Sequence, residues 1–159
     1  MRPLHEGMAS VYFYWRNQMS LQATLLLPVL GMIFLTVGIA LWMLKLRYKA
    51  VLEDGVSAKY FKLNRGAKLP EYLVRVTQHY ENLFETPVLF YVAILLVLVL
   101  NINDMGYVLL SWAFFLSRLI HAYIHTISNR LKHRKYAFML TSVFLIMLWV
   151  RLSVDILSQ

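Results

Sequence analysis

Four long apolar stretches alternate with polar ones along this chain. Leu21–Leu44 runs for roughly 24 residues without a charge, or about 36 Å of helix at 1.5 Å per residue, enough to cross a hydrocarbon core with some tilt. Pro28 lies near its start, where a proline sacrifices few backbone hydrogen bonds. A second helix is expected to open at Pro70, since proline suits the first helical position, and to continue through PVLFYVAILLVLVL (Pro87–Leu100). A third span runs from about Met105 to Ile127 and a fourth from about Tyr136 to Leu157. Arg151 and Asp155 fall in the last turns of the fourth, where an i,i+4 ion pair or snorkelling to the interface would accommodate them. Asn101-Ile-Asn-Asp104 is short and turn-forming, so the second and third spans are expected as an antiparallel hairpin. The pattern predicts an all-α, four-span integral membrane bundle, with no internal repeat and no low-complexity tract.

The polar segments carry the topology. Between Lys45 and Gln78 stand Lys45, Arg47, Lys49, Lys59, Lys62, Arg65, Lys68 and Arg75, with turns expected at Asp54-Gly55 and Arg65-Gly66. A second basic cluster, Arg130, Lys132, Arg134 and Lys135 with His133, precedes the fourth span, while the hairpin turn has no basic residue. Lys and Arg favour cytoplasmic loops, so both basic loops are expected in the cytoplasm and both termini outside, an arrangement that suits a bacterial inner membrane. Residues 1–20 are expected to be a separate leader, with the cluster Val11-Tyr-Phe-Tyr-Trp15 at headgroup level and no signal-peptide pattern, ahead of one domain over 21–159.

Composition agrees with a membrane protein. The chain has 159 residues, 60% of them hydrophobic and 15% charged, with a mean hydropathy of +0.58, more apolar than one soluble core of this size needs. The net charge of +8 would suit nucleic acid, but the basic residues flank the spans, where membrane topology accounts for them, and no nucleic-acid partner is expected. There is no cysteine, which excludes disulfides, a thiolate nucleophile and a thiolate metal site. Any thiol chemistry must use a thiol from outside.

Two polar stripes interrupt the apolar sequence. Gln78, Asn82 and Glu85 are spaced i, i+4, i+7 on the second helix with Arg75 continuing the line, and Arg118, His121 and His125 are spaced i, i+3, i+7 on the third. Counted from the hairpin turn, Glu85 and Arg118 both lie some 21 to 24 Å away, and the same count pairs Asn82 with His121 and Gln78 with His125. Charged residues at such depth are costly, face a bundle interior or a cavity, and mark functional sites. Three roles compete: a Glu85–Arg118 ion pair that locks the hairpin; a metal or haem site built on His121-x-x-x-His125 and Glu85; and a pocket for a polar ligand bearing carboxylates, which Arg118 would grip as a planar fork. A peptide-like ligand carrying both charges fits the third best, and no metal is expected.

Asn82-Leu-Phe-Glu85-Thr-Pro87 and Arg118-Leu-Ile-His121 resemble the paired N-x-x-E-x-P and R-x-x-H motifs of the membrane-associated proteins in eicosanoid and glutathione metabolism, the MAPEG family. The resemblance covers about Met19 to the end. It implies a homotrimer of four-helix bundles that binds glutathione between subunits and acts on lipophilic small-molecule substrates, as a transferase or a lipid hydroperoxide peroxidase. One branch of the family binds lipid without catalysis. By the same resemblance, glutathione would be held by Asn82, Glu85, Arg118, His121, His125 and Gln78, with Lys45 and Arg75 at the mouth, and Arg134 would lower the thiol pKa. Three positions depart from the family pattern: His125 and Phe138 stand where tyrosines are common, and Gln78 where an arginine is.

Overall fold

The computed structural model describes the backbone of residues 4–63 and 68–158 and the side chains of residues 21–62 and 68–158. The side chains of the Val11–Trp15 cluster and the turn expected at Arg65-Gly66 lie outside the described residues. Among the described residues six α-helices follow in order: α1 (Leu4–Leu52), the short α2 (Tyr60–Leu63), α3 (Glu71–Asn82), α4 (Thr86–Val99), α5 (Met105–Tyr123) and α6 (Leu131–Leu157), with a π-helical turn, Ile124–Ser128, between the last two. Among the described residues, four units are long and apolar enough to cross a membrane: Leu21–Leu52, Glu71–Val99, Met105–Ser128 and Leu131–Leu157. The all-α, four-span architecture is as expected.

The ends of the spans differ from expectation in a consistent way. The first helix continues past Leu44 to Leu52, because Lys45, Arg47 and Lys49 are good helix formers and nothing stops the helix until Gly55, which takes a positive φ of 68°. Because α1 begins at Leu4, Pro28 is interior to it and not in its opening turns. The last helix likewise starts at Leu131, so its basic cluster forms the first turn and not a loop. What looked like a long basic loop is largely helix projecting beyond the apolar span.

The second span is two helices. Pro87 has no N–H, and its ring crowds the carbonyl four residues back. The chain responds by tightening, with Leu83 N–H bonding to the Tyr80 carbonyl and Phe84 N–H to that of Glu81, both at 3.0 Å, before α4 starts afresh at Thr86. The hairpin turn closes as expected. Asn101, in the left-handed region at φ 53°, allows Ile102 N–H to reach the Val97 carbonyl and Asn101 N–H that of Leu98, the Schellman arrangement that ends helices. Asp104 then caps α5 by accepting from Gly106 N–H at 2.6 Å. Arg151 donates to Asp104 at 2.6 Å, and Asp155 accepts from Tyr107 Oη at 2.6 Å. These two contacts, in place of the i,i+4 pair expected within the last helix, tie the end of α6 to the turn.

α5 packs between α1 and α6, α1 also meets α3 and α4, and α4 closes against α6. Phe90 and Phe114 stack at the centre with ring centroids 4.4 Å apart, over a core that includes Met32, Val97, Leu148 and Leu152. Ser117 and Thr141 join α5 to α6 by a buried hydroxyl pair at 3.0 Å, a contact worth about 1 kcal/mol between helices in lipid. Large apolar side chains such as Phe34, Leu41, Leu95, Leu109 and Ile146 point outward, the surface a bilayer requires.

Candidate functional site

The break after Asn82 and the π-turn after Tyr123 face one another near the end of the bundle that carries the basic clusters. α3 buries Leu73, Val76 and His79, and Leu83 continues that face. At about 100° per residue, Gln78 and Asn82 are centred roughly 140° around α3 from Leu73, Val76 and His79, and Glu85 lies beyond the helix end. Gln78 and Glu85 are exposed, while Asn82 and Arg75 stand half-buried at the flank.

The expected ladder is therefore replaced by a different one. Arg118 is wholly buried and donates from Nη2 to the main-chain carbonyl of Asn82 at 2.9 Å, one of the terminal carbonyls of α3 that helix geometry leaves without a partner. Arg118 thus braces the break. Its Nε and Nη1 are buried without a partner, and the expected Glu85–Arg118 ion pair is not among those formed within the described residues. Asn82 turns its amide back to the Gln78 carbonyl at 3.0 Å. The rungs facing α5 come instead from His79, whose ring centroid lies 5.5 Å from that of His121 and 5.2 Å from that of His125. All three imidazoles are at most 2% exposed, and neither ring nitrogen of His79 has a hydrogen-bond partner. In the sequence His79 reads only as a further ligand, with His133, for a metal or haem site and not among the glutathione residues, although its i, i+3 spacing from Val76 places it on the apolar face.

A π-turn follows the second motif and carries His125. Asn129 N–H bonds to the Ile124 carbonyl five residues back at 2.7 Å, and Asn129 adopts the left-handed conformation, φ 44° and ψ 25°. Such single wide turns within helices occur frequently at functional sites. Arg75 braces it from α3, its Nη1 3.5 Å from the Ile127 carbonyl, while its Nη2 pairs with Glu71. Arg134, in the first turn of α6, donates from Nη1 to Asn129 Oδ1 at 3.2 Å.

Between these parts opens a cavity of about 410 Å³, lined by Asn82, His121, His125, Leu131, Arg134, Lys135 and Phe138, a volume within the range of about 300–1,000 Å³ usual for small-molecule sites. Of the nine residues expected at a site, four line it: Asn82, His121, His125 and Arg134. Arg118 stands behind its wall, and Arg75 holds its rim. Gln78 and Glu85 face outward, and Lys45 is exposed on α1. Lys135 is an additional cation on the wall that the motifs did not single out. Among the described residues no three His, Cys, Asp or Glu side chains are arranged to hold a metal ion.

The model of the MAPEG family matches residues 25–154. The chain belongs to the MAPEG family. Comparison with curated proteins and with solved structures returned no match. As a MAPEG protein with four spans it is an integral membrane protein of a family concerned with eicosanoid and glutathione metabolism. In this MAPEG member the first motif forms the break in the second span, and the second motif supplies both the brace on that break and a wall of the cavity.

Proposed function

We propose that this protein is a glutathione-dependent membrane transferase or peroxidase acting on lipophilic electrophiles or lipid hydroperoxides. The observation that carries the reading is the wall of the cavity, where two cations, Arg134 and Lys135, stand with Asn82, His121 and His125 at the edge of the membrane span. Glutathione bears two carboxylates, an ammonium and a thiol. Arg134 offers a planar fork and Lys135 a point charge to its anionic groups, and the side-chain oxygen of Asn82 and the imidazoles offer neutral hydrogen bonds. A fixed guanidinium beside the sulfur favours thiolate over thiol, so Arg134 is the residue assigned to thiol activation. The thiolate then attacks a substrate arriving through the apolar surface: at an electrophilic carbon it forms the S–C bond and displaces the leaving group, and at a peroxide oxygen it breaks the O–O bond, releasing the alcohol and leaving a glutathione sulfenic acid that a second glutathione converts to the disulfide and water.

We infer a homotrimer from the resemblance, and the exposed polar stripe supports it: Glu85 and Gln78 lie bare on a membrane-spanning unit, where an uncompensated charge against lipid is costly and a neighbouring subunit would cover it. The basic ends are assigned to the cytoplasm and both termini to the outside of a bacterial inner membrane. The leader over residues 1–20 and the domain over 21–159 remain the proposed division.

A non-catalytic lipid-binding or scaffold role has one observation in its favour, an apolar groove of about 300 Å³ between α1 and α4 lined by Leu26, Val29, Ile33, Tyr91, Ile94, Leu95 and Leu98. Arg134→Ala separates the two roles. Purified protein in detergent is titrated with glutathione while thiolate absorbance is followed. Saturable binding with a thiolate signal that Arg134→Ala abolishes establishes the enzyme. Absence of binding at millimolar glutathione leaves the lipid-binding role.

A further inference from the structure

We propose that Asn129 is a positioning residue that holds the Arg134 guanidinium on the cavity wall while leaving its charge intact. The functional half of this inference rests on the reading of the cavity as a thiol site; the positional half does not.

Two requirements meet at Asn129. The first is conformational. Its N–H closes the π-turn on the Ile124 carbonyl at 2.7 Å, and its φ of 44° and ψ of 25° turn the chain out of the helix there. Few side chains adopt this region, with asparagine and aspartate several-fold enriched and glycine free to do so. The second is the side chain. Oδ1 accepts from Arg134 Nη1 at 3.2 Å, and among the described residues no carboxylate is ion-paired with Arg134. Its neighbours Lys132, His133 and Lys135 are exposed, whereas Arg134 is half-buried and lines the cavity.

Asparagine meets both requirements without a cost to the chemistry, where glycine and aspartate do not. Glycine suits the backbone and offers no acceptor. Aspartate suits the backbone and accepts well, but it would pair with the guanidinium and cancel the field that a bound anion needs. Asparagine orients the cation and leaves it uncompensated. The π-turn and Arg134 are thus one device, with the turn presenting Asn129 and Asn129 presenting the cation.

The test uses full-length protein in detergent, as wild type, Asn129→Gly, Asn129→Asp and Arg134→Ala. The first readout is the rate at which phenylglyoxal modifies Arg134, followed by peptide mass spectrometry, and it needs no glutathione. The second is the pH midpoint of thiolate formation in bound glutathione. In Asn129→Gly, which keeps the backbone conformation, Arg134 should be modified several-fold faster and the thiolate midpoint should move toward that of free glutathione by part of the shift seen in Arg134→Ala. In Asn129→Asp modification should stay slow, yet the midpoint should move by about one pH unit, a tenfold change in thiolate. An unchanged modification rate in Asn129→Gly overturns the positioning role, and an unchanged midpoint in Asn129→Asp overturns the argument for a neutral acceptor. Faster modification in Asn129→Gly, with no glutathione bound or no shift in Arg134→Ala, upholds the positioning and defeats the thiol reading of the cavity.

Discussion

Arg118→Met exposes the balance of forces at the brace. Methionine has similar length and no charge, so the substitution removes the bond to the Asn82 carbonyl without opening a large cavity. That bond, charged and 2.9 Å long, is worth about 1.5–3 kcal/mol. Against this stands a guanidinium with no exposed surface, two of whose three nitrogens have no partner. Burial of an ion without a counter-ion costs several kcal/mol, and each orphaned donor about 1–3 kcal/mol. The relief exceeds the loss, so Arg118→Met should be as stable as wild type or more stable by about 1–3 kcal/mol. For a chain of this length 1 kcal/mol moves the melting temperature by roughly 2–4 °C, readable by thermal unfolding in detergent. The same variant should lose the additional stabilisation that millimolar glutathione confers on wild type, because the break that presents Asn82 to the cavity is no longer held. A fall of several degrees in the absence of glutathione would refute the reasoning. It would mean that the assembled protein already supplies an anion to Arg118, with Glu85 of a neighbouring copy the first to examine.

In subunits dissociated by detergent, where Glu85 is solvated and outside any ion pair, Glu85→Gln should change the melting temperature by less than about 2 °C, since such a side chain contributes within about 0.5 kcal/mol; a large loss there would reinstate the pairing with Arg118. Asp104→Ala removes both the cap on Gly106 and the half-exposed contact with Arg151, and should cost about 1–2 kcal/mol by thermal unfolding. Gly31→Ala would place a methyl 2.6 Å from Phe115 Cζ, against an ordinary contact of about 3.5–4.0 Å. The variant should be destabilised, and adding Phe115→Leu should recover most of the loss; additive effects in that double-mutant cycle would show that the two residues do not meet.

Much of this architecture was legible in the chain because each span carries its own stop signals. Asn101 and Asp104 mark the hairpin turn through a left-handed residue and a cap, and both act that way in the structure. The first helix was harder to end, since the residues that look like loop, Lys45, Arg47 and Lys49, are also good helix formers, and charge alone does not distinguish a loop from a helix leaving the bilayer. The break in the second span had a local signal in Pro87, whose missing N–H acts on the turn before it, but an unbroken apolar run hides that effect. In the site, the polar stripes read in the sequence as single faces of continuous helices, but the first crosses the break before Glu85 and the second runs into the π-turn at His125. Nor was their orientation legible, because the inward face of α3 is chosen by Leu73, Val76 and Leu83, and the polar residues take what remains. His79 goes in with the apolar residues while Gln78 and Glu85 stay out. The contact between Asn129 and Arg134 depends on a wide turn that no composition announces.

That wide turn also bears on how this chain tolerates change in length. A π-turn holds one residue more than the α-helical turn it replaces, and here it closes α5 just before Asn129 and Arg130 lead the chain into α6. Deleting one residue from the 124–128 segment would let α5 end in a regular turn with better backbone bonds, and it would swing the departure of the chain at Asn129 about 100° around the axis of α5, away from Arg134. The shorter chain would be the better helix and the poorer site.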